Sequence, residues 1–120
     1  LFIKSITSSS DLIMFGAAFL AQPGTNHINT RRHSFWANIF SEYSFKVYDI
    51  FRPKFCGNNK IMPWYQQNTF LYVRAGSKYE EDLSAKNFYP IENIYFLDLI
   101  HPWLYGHYLN QYISIKNSNK

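Results

Sequence analysis

Thr69-Phe70-Leu71-Tyr72-Val73-Arg74 is a run of β-branched and aromatic residues closed by Ala75-Gly76-Ser77. That pattern predicts a strand followed by a turn. Upstream, Trp36, Ile39, Phe40, Tyr43 and Val47 recur at steps of three and four, so an aromatic stripe predicts a helix over about residues 34–47. A chain of 120 residues buries one core and not two. The expected fold is α+β, with N-terminal helices packed on a small mixed or antiparallel sheet of about three strands.

Working outward, Ser8-Ser9-Ser10-Asp11 offers capping side chains before the apolar run Leu12–Ala21, and Pro23-Gly24 closes it, which reads as a short capped helix. Residues 26–30 are polar and turn-like. They predict a boundary between an N-terminal extension (1–30) and a main body (31–113), with 114–120 as a polar tail. Arg52-Pro53-Lys54 and Gly57-Asn58-Asn59-Lys60 read as a basic loop. Phe88–Ile91 is expected as a second strand, at a sheet edge because of Pro90. The apolar run Ile94–Ile100 fits strand or helix, and Leu104–Ile113 reads as a short helix.

Charge is divided along the chain. The net charge is +4, but residues 31–78 carry eight cations against two acids, a balance of +6. Residues 79–100 carry Lys86 against Glu80, Glu81, Asp82, Glu92 and Asp98, a balance of −4. A basic module favours a polyanionic partner. Aromatic residues make up 20% of the chain, more than a small core requires, which points to a covered partner surface.

Several function classes find little support. No Gly-x-Ser-x-Gly elbow or Gly-rich phosphate loop occurs, and Ser8, Ser9 and Ser10 are better explained as caps than as nucleophiles. His101 and His107 with Asp98 do not have a recognised metal-ligand spacing, so neither a metal nor another cofactor is expected. Cys56 is alone and excludes an internal disulfide. Leu12–Ala21 is about half the ~20 residues a membrane-spanning helix needs. The segment Leu1–Ser10 has one Lys and no long apolar core, so no secretory leader is expected. Residues with AT-rich codons (Phe, Tyr, Met, Ile, Asn, Lys) number 54, against 20 for Gly, Ala, Arg and Pro. That ratio fits an organellar genome.

A series of short strings in fixed order resembles the ribosomal protein S-nineteen family of the small subunit. Ser34-Phe35-Trp36, then Phe40, is similar to the opening Arg-Ser-x-Trp-Lys-Gly-Pro-Phe. Ile61-Met62-Pro63-Trp64-Tyr65, then Thr69-Phe70, resembles Ile-Leu-Pro-x-Phe-x-Gly-x-Thr-Phe with the same Pro to Thr spacing. Arg74-Ala75-Gly76-Ser77-Lys78 sits where the family has an Asn-Gly-Lys turn, and Phe88-Tyr89-Pro90-Ile91 resembles its Phe-x-Pro-Val strand. Tyr105-Gly106-His107-Tyr108-Leu109-Asn110-Gln111-Tyr112 resembles Val-Gly-His-Lys-Leu-Gly-Glu-Phe. The departures are Ala37-Asn38-Ile39 for Lys-Gly-Pro, Tyr108 for the Lys of the last string, an acidic and apolar expansion within 79–100, and the absence of the family's basic tail.

The resemblance implies a non-enzymatic structural constituent of a mitochondrial small ribosomal subunit. It implies binding of rRNA in the subunit head and contact with neighbouring head proteins, with no small-molecule substrate. Folded RNA presents phosphates and 2′-hydroxyls to flexible basic side chains. The candidate contacts are Arg31, Arg32, His33, Trp36, Arg52, Lys54, Lys60, Arg74, Lys78, Gly106 and His107, with Trp36 equally readable as core. The rival readings are an accessory subunit of a mitochondrial respiratory complex and a small enzyme.

Overall fold

The computed structural model describes residues 2–24 and 30–119. Residues 69–74 form the expected strand and lie at the centre of the sheet. Counting along the chain, β1 is Leu12–Gly16, β2 is Phe45–Tyr48 and β3 is Thr69–Arg74. The order is β1-β3-β2, antiparallel throughout. Six α-helices accompany it among the described residues: α1 (Phe2–Ser9), α2 (His33–Glu42), α3 (Arg52–Phe55), α4 (Pro63–Asn68), α5 (Lys78–Ala85) and α6 (Pro102–Ser118). The fold is therefore α+β.

The pleat of β3 sends alternate side chains to opposite faces. Phe70 and Tyr72 join Phe15, Phe45 and Val47 on one face, against Ala37 and Phe40 of α2, Ile3 of α1 and Leu97. Tyr72 stacks on Phe40 with centroids 3.8 Å apart, an arrangement worth about 1 kcal/mol beyond area burial. Burial of the Tyr72 phenol raises its pKa. Leu71 and Val73 point the other way, with Tyr48 of β2, and are covered by Tyr79 and Leu83 of α5. The acidic stretch 80–82 is thus part of a helix and not of a loop. Ser77-x-x-Glu80 is the sequence signal for that start, and Glu80 and Glu81 lie in the first turn, where the helix dipole favours them.

Several expectations are corrected. Residues 12–21 do not form a helix, because Leu12–Gly16 pairs with β3 from Leu12↔Val73 to Gly16↔Thr69. Ser8 and Ser9 consequently end α1 and do not cap a following helix; their hydroxyls donate back to the carbonyls of Ser5 and Ile6. Residues 2–24 of the expected extension pack onto the main body, since β1 belongs to the sheet and Ile3 and Thr7 are buried. Of the expected boundary, residues 26–29 lie outside the described residues.

The stripe helix ends at Glu42, and Val47 belongs to β2. Residues 52–54 begin a turn of helix instead of a loop, with Pro53 in its first turn, where the missing N–H costs nothing. Phe88–Ile91 makes no strand. Ile91 N–H donates once, to the Val47 carbonyl at 2.8 Å, and Pro90 has no N–H to continue a ladder. Ile94–Asp98 is a 3-10 helix. The last helix runs on to Ser118, through most of the expected tail.

Candidate nucleic-acid interface

The cations between residues 31 and 78 divide by what holds them. Arg52 is spent internally. Its Nε and Nη2 donate to the Asp49 carboxylate at 3.0 and 2.7 Å, and its Nη1 donates to the carbonyls of Leu97 and Leu99 at 3.0 and 2.8 Å. The guanidinium also lies 4.6 Å from the Phe70 ring centroid, and the side chain is 13% exposed. Arg74 clasps the N-terminal segment, pairing with Asp11 at 2.6 Å, donating to the Thr7 carbonyl and lying over Phe45. Lys46 pairs with Glu80 at 2.9 Å. That hydrogen bond raises the Lys46 pKa and holds Glu80 below the usual carboxylate range.

His33 is corrected as an RNA contact. It is 2% exposed, wedged between Phe19 and Phe70 with centroids 4.9 and 4.8 Å away. Burial first, and the Arg52 charge second, lower its pKa from 6.5 to about 3. Trp36 is partly buried, packed against the core cluster and in ring contact with Phe15 and the exposed Phe35. Arg52 and Arg74 have little left to offer a phosphate.

Arg31, Arg32, Lys54, Lys60 and Lys78 are exposed and make no ion pair among the described residues. Lys54 lies on α3 and Lys60 on the following loop, whose backbone is pinned by Gln66 of α4. Its Oε1 accepts from Gly57 N–H at 3.0 Å, and its Nε2 donates to the Asn58 and Ile61 carbonyls at 2.9 and 2.7 Å. Arg31 and Arg32 precede α2. The Arg32 charge opposes the rise that burial imposes on the Tyr108 pKa. Lys78 stands apart on α5.

Helix α6 is anchored at two points. His101 Nδ1 accepts from Trp103 N–H at 3.0 Å, capping the helix, while its Nε2 bonds Gln66 Oε1 at 2.9 Å. Two turns on, the Tyr108 hydroxyl donates to the Leu20 carbonyl. At 1.5 Å per residue, His101 and Tyr108 are about 10 Å apart along the axis. His107 is half-buried. Gly106 is helical, and a side chain there would meet nothing within 4 Å, so the fold itself does not require glycine. Asp98 also caps: its carboxylate accepts from Ser34 N–H and Oγ at 2.9 and 2.6 Å, at the positive end of α2.

A cleft of about 500 Å³ beside this surface escaped sequence reasoning. Trp64 and Tyr65 of α4 and Trp103 of α6 wall it, with Gly16, Gln22 and Asn68 among its lining. A signal existed: α4 and α6 both open with Pro-Trp, Pro63-Trp64 and Pro102-Trp103, and Pro in the first turn fixes where the next side chain begins its helix.

The fold and its surface define a small α+β protein with five exposed cations between residues 31 and 78 that make no ion pair among the described residues. No protein-family model, curated protein or solved structure matches the chain.

Proposed function

We propose that this chain is a structural, non-enzymatic RNA-binding protein of the small subunit of a mitochondrial ribosome, an S-nineteen-like constituent of the subunit head. The observation that carries this reading is that Arg31, Arg32, Lys54, Lys60 and Lys78 are all exposed with no acidic partner among the described residues. Long basic side chains left exposed and unpaired suit a phosphate backbone. Four of the five strings that resemble the family fall on α2, on α4 with β3, on the turn into α5 and on α6, while the fifth, Phe88–Ile91, forms no strand.

Neighbouring head proteins are the proposed partners of the acidic segment. Tyr89, Tyr95, Phe96 and Leu99 are exposed, Tyr95 at 74%, and Glu80, Glu81 and Asp82 stand nearby in sequence. An apolar centre with an acidic rim fits protein better than phosphate.

The rival reading, an accessory subunit of a respiratory complex, draws on the same exposed aromatics. No described helix is long and apolar enough to cross a membrane, so such a subunit would attach through other chains. Sucrose-gradient fractionation of mitochondrial lysate separates the two. We expect the chain with the small subunit, shifting to lighter fractions after RNase treatment. Sedimentation with membranes, unaltered by RNase, would reverse the assignment.

A further inference from the structure

The cleft between α4 and α6 combines three chemistries. Its walls are aromatic and accessible, with Trp64 41% and Tyr65 57% exposed, and the indoles of Trp64 and Trp103 meet edge to face with centroids 6.3 Å apart at 60°. Its polar lining is a chain of side-chain amides. Gln22 Oε1 accepts from Gln67 Nε2 at 3.0 Å and from Asn68 Nδ2 at 2.8 Å. Asn68 is buried, and its amide nitrogen carries two N–H groups, of which that bond uses one. A cation is close by in the chain, because the loop leading into α4 carries Lys60, exposed and without an ion pair among the described residues.

An aliphatic ligand would leave the amides unused, and the bases of a duplex are stacked and cannot enter. A flat ring with hydrogen-bonding edges and an attached phosphate uses all three features. We propose that this cleft receives one unstacked base of a single-stranded RNA segment, stacked on Trp64 or Trp103 and addressed by Asn68, with the adjoining phosphate toward Lys60. The proposal rests on the RNA-binding reading above and names the part of the RNA that this site takes.

The test uses the full chain with four probes: hexa-adenylate, hexa-uridylate, an abasic hexamer of the same charge, and an RNA duplex with the sequence of the small-subunit 3′ domain. We expect the two base-bearing hexamers to quench tryptophan fluorescence and the abasic strand to leave it unchanged. Trp103→Ala or Trp64→Ala should weaken hexamer binding about 5- to 150-fold, the range for loss of one base–aromatic stack. Duplex affinity should be unaltered, and Trp103→Phe should retain most hexamer binding. Circular dichroism identifies any variant that fails to fold; quenching in the unaltered chain then decides.

Equal quenching by the abasic strand, or none by any hexamer while the duplex still binds, would overturn the cleft assignment and leave the RNA-binding reading standing. Binding of neither hexamers nor duplex would overturn both. Adenosine monophosphate saturating the quench at the same concentration as hexa-adenylate would mark a small-molecule site and overturn the assignment to a strand.

Discussion

Arg52 and Lys54 stand two residues apart in one turn of helix, carry the same charge and have opposite fates. Arg52 is met by Asp49, by the carbonyls of Leu97 and Leu99 and by the face of Phe70. Lys54 faces outward. The difference comes from the 3-10 segment 94–98, which folds back over Arg52 and stops short of Lys54. A basic stretch is therefore no measure of binding capacity until the internal acceptors have been counted.

The largest effect should come from breaking the internal member. Arg52→Ala leaves the Asp49 carboxylate and the carbonyls of Leu97 and Leu99 without their donor, and should cost about 3 kcal/mol in urea unfolding. Lys54→Ala should change stability by less than about 0.5 kcal/mol. Equal losses in the two variants would erase the distinction.

His33 sharpens it from the other side of Phe70. Because its folded pKa is depressed from 6.5 to about 3, the unfolded chain takes up a proton between those values that the folded chain refuses. Stability should fall as pH drops through that window, by up to about 1.4 kcal/mol per pH unit, with no further loss from this group below it. Arg52→Met should raise the His33 pKa, and His33→Phe should remove this part of the acid sensitivity. Unfolding free energies between pH 7 and 4 would show both.

The outward member is read in salt. Lys54→Ala with Lys60→Ala should make the slope of log K against log salt for rRNA binding shallower by about 1.4 to 1.8, the share of two phosphate contacts, with melting temperature unchanged. A slope identical to that of the unaltered chain would show that these cations meet no phosphate. The smallest effect belongs to the end of α6. Residues 109–119 are all exposed, so truncation after Tyr108 should alter stability by no more than about 0.5 kcal/mol while helical signal is lost.

The strand at Thr69–Arg74 was legible because β-branched and aromatic residues run up to a Gly-containing turn. The stripe of α2 was legible because Trp36, Ile39, Phe40 and Tyr43 keep the helical period. Leu12–Gly16 was not, since an unbroken apolar run has no period to read, and its fate is decided by β3 far along the chain. Ser8 and Ser9 misled because hydroxyls that cap a following helix also bond backward at the end of a preceding one. Of the candidate interface, position along the chain could mark a cation but not its partner. Asp49 stands three residues before Arg52, a spacing the sequence does show, but Phe19 beside His33, Leu97 and Leu99 over Arg52, and Asp11 on Arg74 lie at separations that local spacing does not see.

The order β1-β3-β2 also sets a schedule. The central strand is the last of the three to be synthesised, so when Tyr48 leaves the exit tunnel neither existing strand has the neighbour it needs, and no local hairpin can shelter them meanwhile. Nascent β1 and β2 must wait as unpaired apolar segments until Arg74 has emerged. Chaperone dependence should therefore peak in chains arrested between the ends of β2 and β3 and fall once β3 is free.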